Sequence, residues 1–313
     1  MKKFIAKSIL FAALVVGVIG GLCAWEIFAE IRAYRAELVA PEGATILLCG
    51  DSQLSNAVDP GVCPEFFNFS AHGRALDQSY MIAMDALRAN RGRLGLLAVD
   101  VSPAAATWPL DSPIGNMSFS GNYWLVHYLH PDENTRDLSG GFRVVRDCLV
   151  GRRLRHAWRA IRGKVEFHSS LEGKYTPSAE VLKVDNPKAF AGLLHQKVGL
   201  TKGAADVSRD SLMFATLDKM VRLAHDEGVG IVIVTTPWHP DLIELCGEAE
   251  LDRFSGKLAA WAAERGIGYA DLLKARFPEE CWLDANHLNS AGARLFSPML
   301  LKAISDAGRR LPQ

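Results

Sequence analysis

A chain of 313 residues with 49% hydrophobic and 22% charged side chains has enough apolar material to bury a full core. Its 35 basic side chains balance 35 acidic ones, so no global charge draws it to nucleic acid or to an acidic partner. Six cysteines, none in a C-x-x-C pair, are too few and too scattered for a disulfide scaffold.

The N-terminus departs from the rest. Lys2, Lys3 and Lys7 precede an uncharged stretch over residues 8–25. At about 1.5 Å per helical residue that stretch approaches the roughly 30 Å of a bilayer's hydrocarbon core. It reads as a single-pass inner-membrane anchor, with the lysines held in the cytoplasm and the remaining chain periplasmic or extracellular. A cleaved signal peptide is the competing reading, but no clear small-x-small site follows the apolar run. Gly20-Gly21-Leu22-Cys23 only loosely matches a lipoprotein box, because Leu22 stands where a small residue is expected. The helical pattern continues over 26–37, which makes residues 1–40 anchor and stalk and residues 41–313 the globular domain. In a periplasmic domain, Cys246 with Cys281 is the disulfide to test first.

Short apolar runs follow at 45–49, 66–69, 94–101, 229–235 and 267–270. Runs without polar alternation suit strands covered on both faces, as in a parallel sheet. Helical patterns separate them at 79–90, 208–227 and 248–265, and Asn289 is placed to cap a last helix from 290 to about 307. The alternation predicts an α/β fold: a three-layer α/β/α sandwich around a five-stranded parallel sheet, with ligands bound beyond the carboxyl ends of the strands. Residues 102–207 break the rhythm and read as an insertion that shapes the cleft. It carries Trp108, Tyr123, Trp124, His127 and His130. Arg152, Arg155, Arg159 and Arg162 share one helical face within it, either simply solvated or turned to anionic lipid or glycan.

Two segments carry chemistry. Gly50-Asp51-Ser52 closes the first strand, and Asp284-Ala285-Asn286-His287 lies near the end of the chain. They supply a nucleophile (Ser52), a general base (His287) and a carboxylate to orient that base (Asp284), the minimum set for acyl transfer through a serine ester. Gly50 allows a tight turn that exposes Ser52 and its N–H at the sheet edge. Gly73 lets a carbonyl oxygen approach the main chain, so its N–H can stabilise developing negative charge. The lack of a second glycine two residues after Ser52 argues against the G-x-S-x-G nucleophile elbow. His72, Trp238 and His239 are candidate substrate contacts, Trp282 is a further aromatic at the same edge, and His239 can equally make a structural bond. No H-E-x-x-H, P-loop or strand-linked G-x-G-x-x-G is present, so neither a catalytic metal nor a nucleotide cofactor is implied.

These residues resemble the SGNH (GDSL-type) hydrolase superfamily. Gly50-Asp51-Ser52-Gln53-Leu54 looks like its first block, Asn68-Phe69-Ser70-Ala71-His72-Gly73 like its second, and Asp284-x-x-His287-Leu288 with Gly292 like its last. The resemblance implies the flavodoxin-like sandwich of that superfamily, a Ser52–His287–Asp284 triad, and oxyanion donors at the Ser52 and Gly73 N–H groups. It departs at the third block, where Ala98-Val99-Asp100-Val101-Ser102-Pro103 lacks the usual asparagine. Ser102 can donate in its place, as can Asn116 or Asn122 from the insertion. The anchor and the Asp-x-x-His ending make the chain similar to membrane-anchored members tied to polysaccharide O-acetylation, such as the alginate acetylation proteins. That likeness implies a serine esterase or O-acetyltransferase acting on acyl esters of an envelope or extracellular glycan, with a membrane-bound acyl-donor protein as a candidate partner. The alternative is a non-catalytic glycan-binding or scaffolding protein that keeps the fold.

Overall fold

The computed structural model describes residues 1–103, 129–130, 162 and 212–309. The aromatic and basic residues singled out in the insertion, His130 and Arg162 excepted, and Asn116 and Asn122 lie outside the described residues. The chain divides into two compact units, with residues 1–37 in one and all five strands in the other.

Residues 2–37 form one continuous helix, α1 (Lys2–Glu37). Within it Lys3–Leu22 is long and apolar enough to cross a membrane, and that segment is exposed along its length. A signal sequence would meet the same criterion, so the helix establishes capacity to span and no more.

The other unit is a three-layer α/β/α sandwich. Its strands are β1 (Ile46–Cys49), β2 (Phe66–Asn68), β3 (Leu96–Asp100), β4 (Gly230–Thr235) and β5 (Gly268–Asp271). All pairings are parallel, in the order β2-β1-β3-β4-β5. This is the flavodoxin-like order, whose reversal at β1 and β3 opens a crevice at the strands' carboxyl ends. The five apolar runs of the sequence coincide with these strands. β1 is buried at every position because it lies centrally and is covered on both faces.

Alternation along the strands sorts their side chains between two cores. Ile46, Leu48, Ala98, Val232, Val234 and Ala270 meet α2 (Ser52–Ala57) and α7 (Ser290–Arg309) through Leu54, Phe296 and Leu300. The opposite face is covered by α3 (Leu76–Ala89), α4 (Leu212–Asp226) and α6 (Glu248–Glu264), where the Phe214 and Trp261 rings meet at 5.7 Å. Short α5 (Pro240–Cys246) follows β4. Sequence periodicity gives no sign of α2 or α5, which at six and seven residues span two turns or fewer.

Asn90, at the end of α3, ties the start of this unit to its core. Its amide donates to the carbonyls of Leu38 at 2.6 Å and Ala86 at 2.7 Å, and its oxygen accepts the Ala40 N–H at 2.8 Å. Asn90→Ala strands two buried backbone groups, so urea denaturation should show a loss of about 3 kcal/mol.

The Cys246–Cys281 pair, the first disulfide to test from sequence, is not bridged: both thiols are free and buried. Each is enclosed by its own element, the end of α5 and the 3-10 turn Glu279–Cys281, and burial pushes Cys246 up to about 11.

Candidate active site

Every residue of the candidate site follows the carboxyl end of a strand. Asp51 follows β1 and caps α2, its Oδ1 accepting the Gln53 N–H at 2.8 Å. Ser52 is thereby the first residue of a helix, its N–H at the positive end of the helix dipole. Gly50 has no substitute. A β-carbon there would stand 2.7 Å from Asp100 Cβ and 3.3 Å from Leu54 Cβ, because the turn presses against the end of β3. Cys49, just before the turn, is no rival nucleophile, since burial pushes its thiol up to about 12 and keeps it protonated.

The loop after β2 carries the second motif. Asn68 Oδ1 accepts the Ser70 N–H at 2.9 Å, and the Asn68 amide reaches the Leu54 carbonyl at 3.4 Å, joining this loop to α2. The Phe69 N–H donates to Leu48 and the Ala71 N–H to Gly50, so the loop runs beside the nucleophile turn. Gly73 adopts φ +67°, a left-handed conformation that glycine holds without strain. Among the described residues, its chain neighbours apart, no atom lies within 4 Å of where its β-carbon would be. Among the described residues, neither the Ser52 nor the Gly73 N–H has an acceptor.

The base arrives from the far end of the chain. Leu283 and Asp284 both donate to the His287 carbonyl, which closes a tight loop. Asp284 Oδ1 accepts the Asn286 and His287 N–H groups, each at 2.9 Å, so the loop backbone holds the carboxylate. His287 Nδ1 lies 2.8 and 2.7 Å from the two Asp284 oxygens. A carboxylate only accepts, so Nδ1 carries the proton and Nε2 is left as an acceptor. Ser52 Oγ donates to that Nε2 at 2.7 Å, across 235 positions of sequence. The side chains of His287 and Asp284 are each 16% exposed: reachable by substrate, yet largely shielded from water. Below the loop, Asn289 caps α7 as its position in the sequence suggests, with Oδ1 accepting the Ala291 and Gly292 N–H groups.

The structure sorts the other candidates. His72 is exposed at the mouth, its ring 6.2 Å from that of His287 and inclined 27° to it. Ser102 Oγ faces Asp51 Oδ2 at 3.5 Å. Trp238 is 1% exposed and its indole N–H donates to Gln53 Oε1 at 2.7 Å, so neither ring face is open to a sugar. His239 is 5% exposed and caps α5, with Nδ1 accepting the Asp241 N–H and Nε2–H directed to Glu279 at 3.0 Å. Its structural bond therefore occupies both ring nitrogens. The His239 N–H also donates to the Ala285 carbonyl, so this pair braces the His287 loop instead of contacting ligand. Trp282 is likewise buried, edge-on to His239.

A polar network behind the nucleophile is absent from the sequence reading. Thr236 Oγ1 lies 3.1 Å from Gln53 Oε1 and 3.3 Å from Asp100 Oδ1, and Trp238 shares the Gln53 oxygen. Its one sequence signal is Asp100, an acid that ends an apolar strand at the same edge as Ser52.

No family model and no curated protein matches this chain. Among solved structures it is similar to a Bacteroides fragilis protein provisionally classed as an acylhydrolase, with a TM-score of 0.35 and 11% identity over 87% of this chain and 92% of that one. A likeness of that size carries no inference about activity.

Proposed function

We propose that this protein is a serine acyl-transfer enzyme, an esterase or O-acetyltransferase, with Ser52 as nucleophile, His287 as general base and Asp284 as its orienting carboxylate. The observation that carries the reading is the 2.7 Å hydrogen bond from Ser52 Oγ to His287 Nε2, with His287 Nδ1 held by Asp284. In the first half-reaction His287 takes the Ser52 proton as Oγ attacks the ester carbonyl. The oxyanion gathers the Ser52 and Gly73 N–H groups. His287 then returns the proton to the departing alcohol, leaving an acyl-serine. In the second, His287 activates water or a sugar hydroxyl, which takes the acyl group and frees Ser52.

The substrate in this reading is an acyl ester, in the first instance an acetyl ester, of an envelope or extracellular glycan. Its support is the sequence resemblance together with α1, which would hold the domain on the outer side of the inner membrane, lysines inward. A fluorophosphonate probe tests the chemistry: it should label the wild type and fail to label either Ser52→Ala or His287→Ala. Labelling that survives both changes sinks the reading. Transfer is distinguished from hydrolysis by supplying a model acetyl ester with a sugar oligomer and measuring which acceptor receives the acetyl group.

A further inference from the structure

Half-buried Asp51 and buried Asp100 are neighbouring acids behind Ser52, and their surroundings are unequal. Asp51 accepts the Gln53 N–H and faces the Ser102 hydroxyl; burial raises it too, but these two bonds act in the opposite direction. Asp100 is 4% exposed, and its Oδ1 receives the Thr236 hydroxyl at 3.3 Å. Its Oδ2 has no hydrogen-bond partner among the described residues and lies against the Gly50 backbone, 3.3 Å from where a β-carbon would stand. The groups shown to act on it are Asp51, Thr236 and the Gly50 turn, and among the described residues no cation is shown to offset it. Two neighbouring carboxyl groups out of water do not both ionise, and the proton stays on the one with fewer donors.

Resting on the serine reading above, we propose that Asp100 is a positioning residue that works as a neutral carboxylic acid, supporting the Gly50-Asp51-Ser52 turn without placing a second negative charge beneath the forming oxyanion. A charge there would oppose the negative charge that the Ser52 N–H must stabilise. Asp100 is held well above the usual carboxylate range, by burial first and by Asp51 second, with the Thr236 bonds acting in the opposite direction. The folded state thus keeps a proton that the unfolded chain releases. Wild-type stability accordingly falls as pH rises from the ordinary carboxylate value toward the raised one.

Asparagine copies the neutral acid in shape and, like it, offers both a donor and an acceptor, but cannot ionise. In Asp100→Asn the melting temperature should therefore exceed that of the wild type by a margin that widens from pH 4 to pH 8, while fluorophosphonate labelling at neutral pH stays at the wild-type rate. Asp100→Ala, which empties the support under Gly50, should label at least about tenfold more slowly. A melting difference that does not change with pH, or a folded asparagine variant as inert as Ser52→Ala, overturns the assignment. Failure of the serine reading has a separate signature, namely labelling that does not depend on Ser52, and leaves the melting series to decide the state of Asp100.

Discussion

Ser52→Ala is expected to lower turnover of a model acetyl ester about ten-thousandfold or more, and His287→Ala by a similar factor. The double variant should be no slower than either single one, because the two side chains act as a unit through one hydrogen bond. Measuring kcat/KM for the three variants beside the wild type checks this. Losses that multiply would mean that the two residues act separately and that the 2.7 Å contact is structural.

Gly292→Ala is expected to be among the most destabilising single-methyl changes in the domain, at about 3 kcal/mol or more. Its β-carbon would stand 2.4 Å from the Cys281 carbonyl oxygen and 2.9 Å from Leu288 Cδ2. Backbone cannot swing aside as a flexible side chain can, so the first turn of α7 must move and carry the Asn289 cap with it. Urea denaturation measures the stability, and the probe-labelling rate reports the displacement of His287. A variant that unfolds at the wild-type urea concentration would show that the turn yields without cost. The same crowding explains why the last sequence motif ends in glycine: α7 begins against the turn that precedes the base.

The fold was readable because its signal is repeated. Five apolar runs alternating with amphipathic segments admit few arrangements, and the parallel order follows from connections that cross over through helices. Ser52, His287 and Asp284 were legible as candidates for another reason: they belong to two short motifs of complementary chemistry, Ser52 just after β1 and the other two in the loop before α7. Trp238 and His239 were left with both a substrate and a structural reading because residue type does not reveal exposure. An aromatic pair after β4 serves a sugar or a loop equally well until Gln53, Asp241 and Glu279 are seen to occupy its polar atoms. Ser102 was legible as a hydroxyl at the right edge, but its partner was not. The Asp51–Asp100 pair joins residues 49 positions apart, one just beyond β1 and one at the end of β3, and only the register of β1 with β3 brings them together.

The order in which the chain is made has a bearing on when it can react. Ser52 leaves the ribosome early, whereas His287 and the helix that braces its loop come more than two hundred residues later. Until α7 has docked against α2, the serine has no base and is chemically an ordinary hydroxyl. On the serine reading proposed above, an incompletely folded chain therefore has no acyl-transfer capacity. On that reading turnover reports that α7 has docked against α2.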